Sequence, residues 1–145
     1  GLFSGRGYNI ESLSVSEVDS DKFLSRITVV TSGTKLIVNQ IKAQLGKLIP
    51  VHNLVDISEL ESFIGKELIL VKLDVKNKNL INLLKKLKKL GVKTLSENKN
   101  ELIIEYIGTP EEITKLVKLL KNTKIIEQTR SGLVSIATGT DYIKK

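Results

Sequence analysis

An asparagine that follows a glycine at the start of a predicted strand is the side chain in this 145-residue sequence best placed to recognise a ligand. Asn9 lies in the segment Arg6-Gly7-Tyr8-Asn9-Ile10-Glu11-Ser12-Leu13-Ser14-Val15. Its amide both donates and accepts hydrogen bonds, so it could hold the polar group of a small molecule. The alternative is that Asn9 leaves a turn and bonds its own backbone, in which case it contacts no ligand.

The sequence lacks candidate residues for most kinds of catalytic chemistry. Cysteine is absent and His52 is the one histidine, so disulfides, thiolate metal sites and a cysteine–histidine pair are excluded. The acidic pairs Asp19/Asp21 and Glu59/Glu61 fall in predicted turns, where carboxylates are normally solvated. No glycine-rich phosphate loop follows a strand. The sequence therefore favours a binding or regulatory protein over a stand-alone small-molecule enzyme.

The charge balance suggests a second class of partner. The chain has 23 Lys and Arg against 16 Asp and Glu, a net charge of +7, which is compatible with nucleic-acid binding or with an ordinary solvated surface. Aromatic residues make up 4% of the chain, whereas an RNA-binding sheet stacks bases on two or three of them. A basic RNA-binding module is therefore the alternative interpretation. The densest basic cluster is Lys85, Lys86, Lys88 and Lys89.

Arginine is rare in this lysine-rich chain and occurs at Arg6, Arg26 and Arg130. Its planar guanidinium forms two parallel hydrogen bonds that lysine cannot reproduce. We therefore expect some of these positions to make bidentate contacts.

The first part of the chain predicts a β-β-α-β order. Alternating polarity and β-branched residues indicate strands at Tyr8–Val18 and Phe23–Thr31, which form a hairpin. Thr34 is the predicted N-cap of a helix that ends at Gly46, and Leu48–Ser58 is a further predicted strand.

The residues before this hairpin look like the end of a helix. Leu2 and Phe3 are apolar, and Gly5 and Gly7 are typical helix stops. We therefore expect the first unit to be a ferredoxin-like βαββαβ domain that lacks its first strand and most of its first helix.

The second part predicts a complete βαββαβ unit. Its helices carry leucine-rich stripes, and Thr109-Pro110-Glu111-Glu112 is a capping box with proline at the first helical position. The predicted fold is α+β, with two tandem ferredoxin-like domains at residues 1–59 and 66–145 and a linker at 60–65. The predicted strands are Glu67–Val75, Val92–Glu97, Glu101–Gly108, Lys124–Gln128 and Leu133–Thr138, with a helix that Asn77 or Asn79 caps and Gly91 closes.

Six blocks along the chain carry a family resemblance. The sequence resembles the small regulatory subunits of acetolactate synthase (acetohydroxyacid synthase), the first common enzyme of branched-chain amino-acid synthesis. The first block is the most specific, and the blocks follow the family's order over essentially the whole chain. They are Gly1–Leu13, Leu24–Val30, Gln44–Val51, Lys66–Lys72, Ile107–Glu111 and Glu127–Val134.

The resemblance implies a function without catalysis in this chain. The first unit would be an ACT domain, a ferredoxin-like module that binds amino acids and pairs with a second copy to hold valine at the interface. The subunit would activate a large catalytic subunit and confer valine feedback inhibition on it. Thiamine diphosphate, Mg and FAD would belong to that large subunit. The resemblance implies neither a nucleic-acid partner nor a membrane, and it places the protein in a bacterial cytoplasm or a plastid stroma.

The resemblance also suggests which residues bind the effector. Asn9 would bind the polar groups of valine, together with backbone N–H groups at a helix start. Leu2, Phe3 and Ile10 would supply part of the apolar wall. The strand and turn expected before Gly1 would carry the N–H groups that bind the ligand carboxylate.

Overall fold

A computed structural model describes residues 8–48, 51–60, 62–76, 80–140 and 143 of the chain. The chain divides into two compact units. Residues 1–65 and 133–145 form the first unit, and residues 66–132 form the second. None of the described helices is long and apolar enough to cross a membrane.

The second unit has the predicted βαββαβ order. Its strands are β3 (Phe63–Asp74, of which residues 63–65 belong to the first unit), β4 (Lys93–Glu97), β5 (Glu101–Gly108) and β6 (Lys124–Arg130). Its helices are α2 (Leu80–Lys89) and α3 (Pro110–Leu119), the latter followed by a 3₁₀ turn at Leu120–Asn122. The strands pair antiparallel in the order β4-β5-β3-β6, which is the ferredoxin-like arrangement. The predicted fold class is therefore confirmed.

One apolar cluster holds this unit together. Alternate residues of β3 and β5 point inward, among them Ile69, Leu73, Leu102 and Ile104, and none of these four has measurable exposure. Both helices add leucine and isoleucine side chains to the same cluster. The period of two in the strands and of 3.6 in the helices thus brings the inward-facing strand residues and the apolar stripes of both helices together on one face of the sheet.

The predicted end of α2 and the predicted start of α3 are confirmed by the local backbone and hydrogen bonds. Gly91 has φ +84°, a left-handed conformation that glycine adopts at little cost after the end of α2. Thr109 caps α3, since its hydroxyl accepts a hydrogen bond from the Glu112 amide at 3.2 Å. The caps proposed for α2, Asn77 and Asn79, lie outside the described residues.

The first unit contains a hairpin, a helix and a late strand. β1 (Asn9–Asp19) and β2 (Leu24–Ser32) pair antiparallel, and α1 (Lys35–Gly46) follows with Thr34 as its N-cap, as predicted. β7 (Val134–Ala137) pairs with β3. Arg26 Nη2 donates to the Ser135 carbonyl at 2.6 Å, which ties β7 to β2. The predicted helix tail at residues 1–7 lies outside the described residues.

The predicted strand at Leu48–Ser58 is wrong for the described part of that range. Residues 51–56 have no regular structure, and Ile57–Glu59 form a 3₁₀ turn. Asparagine and aspartate side chains bond the local backbone here: Asn53 Oδ1 accepts from the Leu54 amide, and Asp56 Oδ1 from the Ser58 amide. Such bonds compete with a strand ladder.

The domain bounds also differ from those expected, which were 1–59, a linker at 60–65, and 66–145. Phe63 and Ile64 are strand formers and start β3, so residues 63–65 are not a linker. Residues 133–145 group with the first unit. The Thr138 amide donates to the Ser62 carbonyl at 3.1 Å, so Thr138 is bonded to a residue of the first unit.

Candidate functional site

Asn9 begins β1 directly opposite Ser32, the last residue of β2. Asn9 Nδ2 donates a hydrogen bond to Ser32 Oγ at 2.8 Å, and the Thr31 hydroxyl donates to the Asn9 carbonyl at 2.5 Å. The Asn9 side chain is exposed. The Asn9 side-chain amide therefore bonds across the hairpin. The alternative interpretation predicted a bond to the backbone of its own turn instead.

This polar group lies close in sequence to the start of α1. Ser32 precedes the N-cap Thr34 by two residues, and Thr34 Oγ1 accepts from the Ile37 amide at 3.2 Å. The first turn of α1 contains no acidic residue. The N–H groups and the dipole at this end of α1 therefore favour the binding of an anion, because the first turn has no carboxylate of its own to interact with them. Neutral hydroxyl and amide groups beside a helix start suit a small zwitterion such as an amino acid.

Ile10, the other expected effector residue that the structure describes, is placed less favourably than Asn9. Ile10 is half-buried and pairs with Thr31. Because successive side chains of a strand point to opposite faces, Ile10 and Asn9 project from opposite sides of β1. Leu2 and Phe3 lie outside the described residues.

The hairpin also presents an exposed apolar face. Leu13 pairs with Val29, and Val15 with Ile27, on one side of the two strands. Leu13, Val15 and Ile27 are 58%, 61% and 60% exposed. The alternation of β1 predicted an apolar face, but its exposure in the described structure was not foreseen.

Arg130 makes the bidentate contact expected of some arginines, whereas Arg26 donates to a backbone carbonyl. Arg130 Nε and Nη2 donate to the two carboxylate oxygens of Glu67 at 2.6 and 2.9 Å, a bidentate pair. This hydrogen bond raises the pKa of Arg130 above its usual value. Glu67 is 7% exposed and is the one buried charged residue of the described chain. Sequence reasoning missed Glu67, although its position on the inward face of an apolar strand was a possible signal.

A second polar contact lies at the start of α3. The Tyr106 hydroxyl donates to Glu112 Oε2 at 2.8 Å. That bond, together with the charge of Lys66 and hydrogen bonds from Thr109, lowers the pKa of Glu112. Burial and the Glu112 carboxylate raise the pKa of Tyr106. These groups fix the junction of β5 and α3 and leave the tyrosine inside the core.

The outer face of the second sheet lacks the residues that stack bases. Its described side chains alternate between aliphatic and charged ones, and Tyr106 points inward at 9% exposure. A shallow depression of about 160 Å³ lies on this face, between Leu70, Ile103 and the Lys72–Glu127 ion pair. The aromatic platform of a sheet-type RNA-binding module is therefore absent from the described outer face.

Comparison with known proteins adds to this geometry. Residues 66–139 match the family model of the small subunit of acetolactate synthase, and residues 1–53 match that of an ACT domain like the one in such small subunits. The chain belongs to the acetolactate synthase small-subunit family. The Asn9–Ser32 pair thus lies within the ACT match, and the Glu67–Arg130 pair within the small-subunit match.

Individual members of the small-subunit family align with this chain over most of their length. The acetolactate synthase small subunit of Buchnera aphidicola subsp. Schizaphis graminum is 35% identical, over 96% of this chain and 87% of that protein. The isozyme 3 small subunit of Escherichia coli is 30% identical, over 99% and 88%. The crystal structure of the small subunit from Thermotoga maritima has a TM-score of 0.81 and 27% identity, and the match covers 97% of this chain and 86% of that one. The resemblance identified in the sequence is confirmed.

Proposed function

We propose that this chain is a non-catalytic regulatory subunit that activates a large acetolactate synthase subunit and makes it sensitive to valine. The family and the words "small subunit" in the names of its relatives support a larger catalytic partner. The thiamine diphosphate, Mg and FAD of the reaction belong, in this proposal, to that partner. The bacterial relatives support a bacterial cytoplasm as its location, with a plastid stroma as the other possibility.

The observation that carries the valine part is the position of Asn9. Its side-chain amide donates a hydrogen bond to Ser32, which lies just before the start of α1. Both residues are neutral and polar, and both lie inside the segment that matches an ACT domain. An amide and hydroxyls can accept from the ammonium of valine, while helix N–H groups can donate to its carboxylate. Leu2, Phe3 and Ile10 remain the proposed apolar contacts.

A second copy of the chain completes the proposal. The exposed apolar face formed by Leu13, Val15 and Ile27 supports a homodimer through the ACT domains, since removal of such a face from water is favourable. Valine inhibition then requires that valine bind more tightly to one state of the whole complex than to the other.

The test combines calorimetry with an activity assay. The full-length protein is titrated with valine, and acetolactate production by its large subunit is measured with and without the small subunit and valine. We expect binding heat, stimulation by the small subunit, and inhibition by valine. Absence of both the heat and any change in acetolactate production would refute the proposal.

Substitution of Asn9 tests the site itself. We expect Asn9→His to raise the valine concentration for half-inhibition by about tenfold, as befits the loss of roughly one strong hydrogen bond, with activation mostly retained. Ser25→His, an exposed change at the other end of the hairpin, is the matched control and should leave the inhibition curve unchanged. Identical curves for Asn9→His and wild type would remove Asn9 from the site.

A further inference from the structure

Arg26 fixes the last strand of the first unit, β7, on the hairpin. Its Nη2 donates to the carbonyl of Ser135 at 2.6 Å, and both residues are half-buried. Among the described residues, Arg26 forms no ion pair with a carboxylate. A hydrogen bond from a charged donor is stronger than one between neutral groups. Because the acceptor is a backbone oxygen, the bond depends on the position of β7 and not on the side chain of Ser135.

The Asn9 site and Arg26 lie near the two ends of the same strand. Ser32, which accepts from Asn9, is the last of the nine residues of β2, and Arg26 is the third. Six positions separate them, a span of roughly 20 Å in an extended strand. An even separation also places Ser32 and Arg26 on the same face of β2. One strand therefore connects the candidate effector site to the contact with β7.

β2 is regular along this span, whereas its partner strand is not. At each of the two register shifts of the hairpin the extra residue belongs to β1: Glu11 beside the Asn9 site and Val18 beside the turn. Between the two shifts the ladder is unbroken. A bulge disrupts the ladder locally and bends the strand that contains it. The Asn9 end of β1 can therefore adjust against β2, while β2 extends to Arg26 as one regular element.

Ser135 lies close to the point where the chain returns to the first unit. The returning segment begins at Leu133, two positions before Ser135. It is held close to Gly65, the last residue of the first unit before the chain leaves it. A Cβ atom on Gly65 would lie 3.2 Å from both Leu133 Cδ1 and Ser135 Oγ, which is tighter than most such contacts. The position of β7 thus depends on the Arg26 bond and on the absence of a side chain at Gly65.

We propose that Arg26 is a positioning residue for the valine response, which links the Asn9 site through β2 to the Ser135 carbonyl. The inference rests on the proposed function and deepens it, since Asn9 binds valine and Arg26 transmits the binding. Valine competes with Ser32 for the Asn9 amide, and the end of β2 then shifts against β1. The shift alters the bond from Arg26, so the two states of the complex differ in valine affinity, as coupling requires.

The test separates valine binding from valine inhibition, with the full-length chain and its large subunit. Calorimetry gives the Kd of valine for each small-subunit variant. Acetolactate production at increasing valine gives two further quantities: the concentration for half-inhibition, and the fraction of the valine-free activity that remains at saturation. The test variant is Arg26→Gln, which removes the charged donor.

The control must match the loss of one positive charge. Residues 66–132 contain fifteen Lys and Arg against eight Asp and Glu, and the rest of the chain contains eight of each. The net charge of +7 therefore lies outside the unit that contains Arg26, and Arg26→Gln changes that unit from neutral to −1. Lys22→Gln makes the same change at an exposed position in the turn between β1 and β2.

We expect Arg26→Gln to bind valine within about twofold of wild type and to retain about threefold more activity at saturating valine. Asn9→His should instead raise the concentration for half-inhibition and still be inhibited fully at high valine. Lys22→Gln should match wild type. Arg26→Lys should recover part of the inhibition, because an ammonium group also donates to a carbonyl. An arginine with only a structural role would change binding and inhibition together.

A second variant displaces β7 without altering Arg26. Gly65→Ile places a side chain where Leu133 and Ser135 lie close to the backbone, and isoleucine is itself a good strand residue. We expect the same rise in residual activity at saturating valine, again with the Kd nearly unchanged. Circular dichroism and urea denaturation show which variants fold, and Gly65→Ile decides the question if Arg26→Gln does not.

The possible failures are distinguishable. If the variants that fold give the wild-type inhibition curve, the inference is wrong while the proposed function stands. If Arg26→Gln loses the heat of valine binding together with inhibition, Arg26 supports the site structurally and the inference is overturned. If wild type itself shows neither heat nor inhibition with valine, the proposed function fails and the inference fails with it.

Discussion

The two units differ in how they bury apolar side chains and where they expose them. In the described chain, twelve of the thirteen buried apolar side chains belong to residues 66–132, and Ile41 of α1 is the other. The first unit instead exposes Leu13, Val15 and Ile27 on its hairpin. Substitutions in the second unit should therefore change folding, whereas those on the first unit's hairpin should change binding.

The two units also differ in whether their polar groups are buried or exposed. The second unit satisfies its buried Glu67 with a bidentate bond from Arg130. The first unit holds Asn9 and Ser32 at the surface, in a bond open to solvent. A buried pair resists exchange with a ligand because separation leaves a charge without water, whereas a surface amide can exchange partners at little cost.

The largest expected effect is the contrast between two leucines. Leu73→Ala should lower the free energy of unfolding of the second unit by about 2–5 kcal/mol, since Leu73 is fully buried and its loss leaves a cavity. Leu13→Ala should cost less than about 1 kcal/mol, because Leu13 is already more than half exposed. Urea denaturation, with hydrogen exchange to assign each transition, measures both. Equal costs would show that the units do not differ in this way.

A smaller effect is expected from the ion pair. Arg130→Ala should destabilise the second unit by about 2 kcal/mol, because it leaves the carboxylate of Glu67 buried without its partner. Lys124→Ala is the control: that lysine is 77% exposed and 4.0 Å from Asp74, so its removal should cost less than about 0.5 kcal/mol. Chemical denaturation at neutral pH compares them, and a similar cost for both would argue against a structural role for the Glu67 pair.

The smallest effect is a dependence on pH. The hydrogen bond from Tyr106 lowers the pKa of Glu112 below its ordinary value of 4.5, so the ionised form stabilises the folded state. That contribution is complete above about pH 4.5 and is lost as the pH falls through the lower folded pKa. The difference in denaturation midpoint between wild type and Glu112→Gln should therefore shrink on acidification. Glu111→Gln serves as the control for the change in charge, and a gap that widens in acid would contradict the assignment.

Local patterns in the sequence determined most of the second unit. Its strand and helix order follows from apolar periods, and the start of α3 from Thr109 and Pro110, which act on their own backbone. The family resemblance also came from short blocks of sequence, and the alternation of polarity located Asn9 at the start of a strand. These features were predictable because each depends on residues within a few positions of one another.

Tertiary structure decided the features that depend on distant residues. Glu67 and Arg130 are 63 positions apart and meet because β3 and β6 are neighbours in the sheet. The Ser135 carbonyl accepts a hydrogen bond from Arg26, 109 positions earlier, in agreement with the grouping of residues 133–145 with the first unit. Local sequence did not identify the partner of either arginine, since long-range pairing depends on which strands share edges.

The sequence by itself determined the amount of charge, and the tertiary structure decided its location. A net charge of +7 follows from counting residues, but its confinement to residues 66–132 depends on where packing draws the boundary. The same holds for Asn9: its type and strand position were local facts, whereas its partner Ser32 was fixed by the register of the hairpin. The physical reason is that periodicity and capping act within a turn or a strand, while register and burial arise only when distant segments pack together.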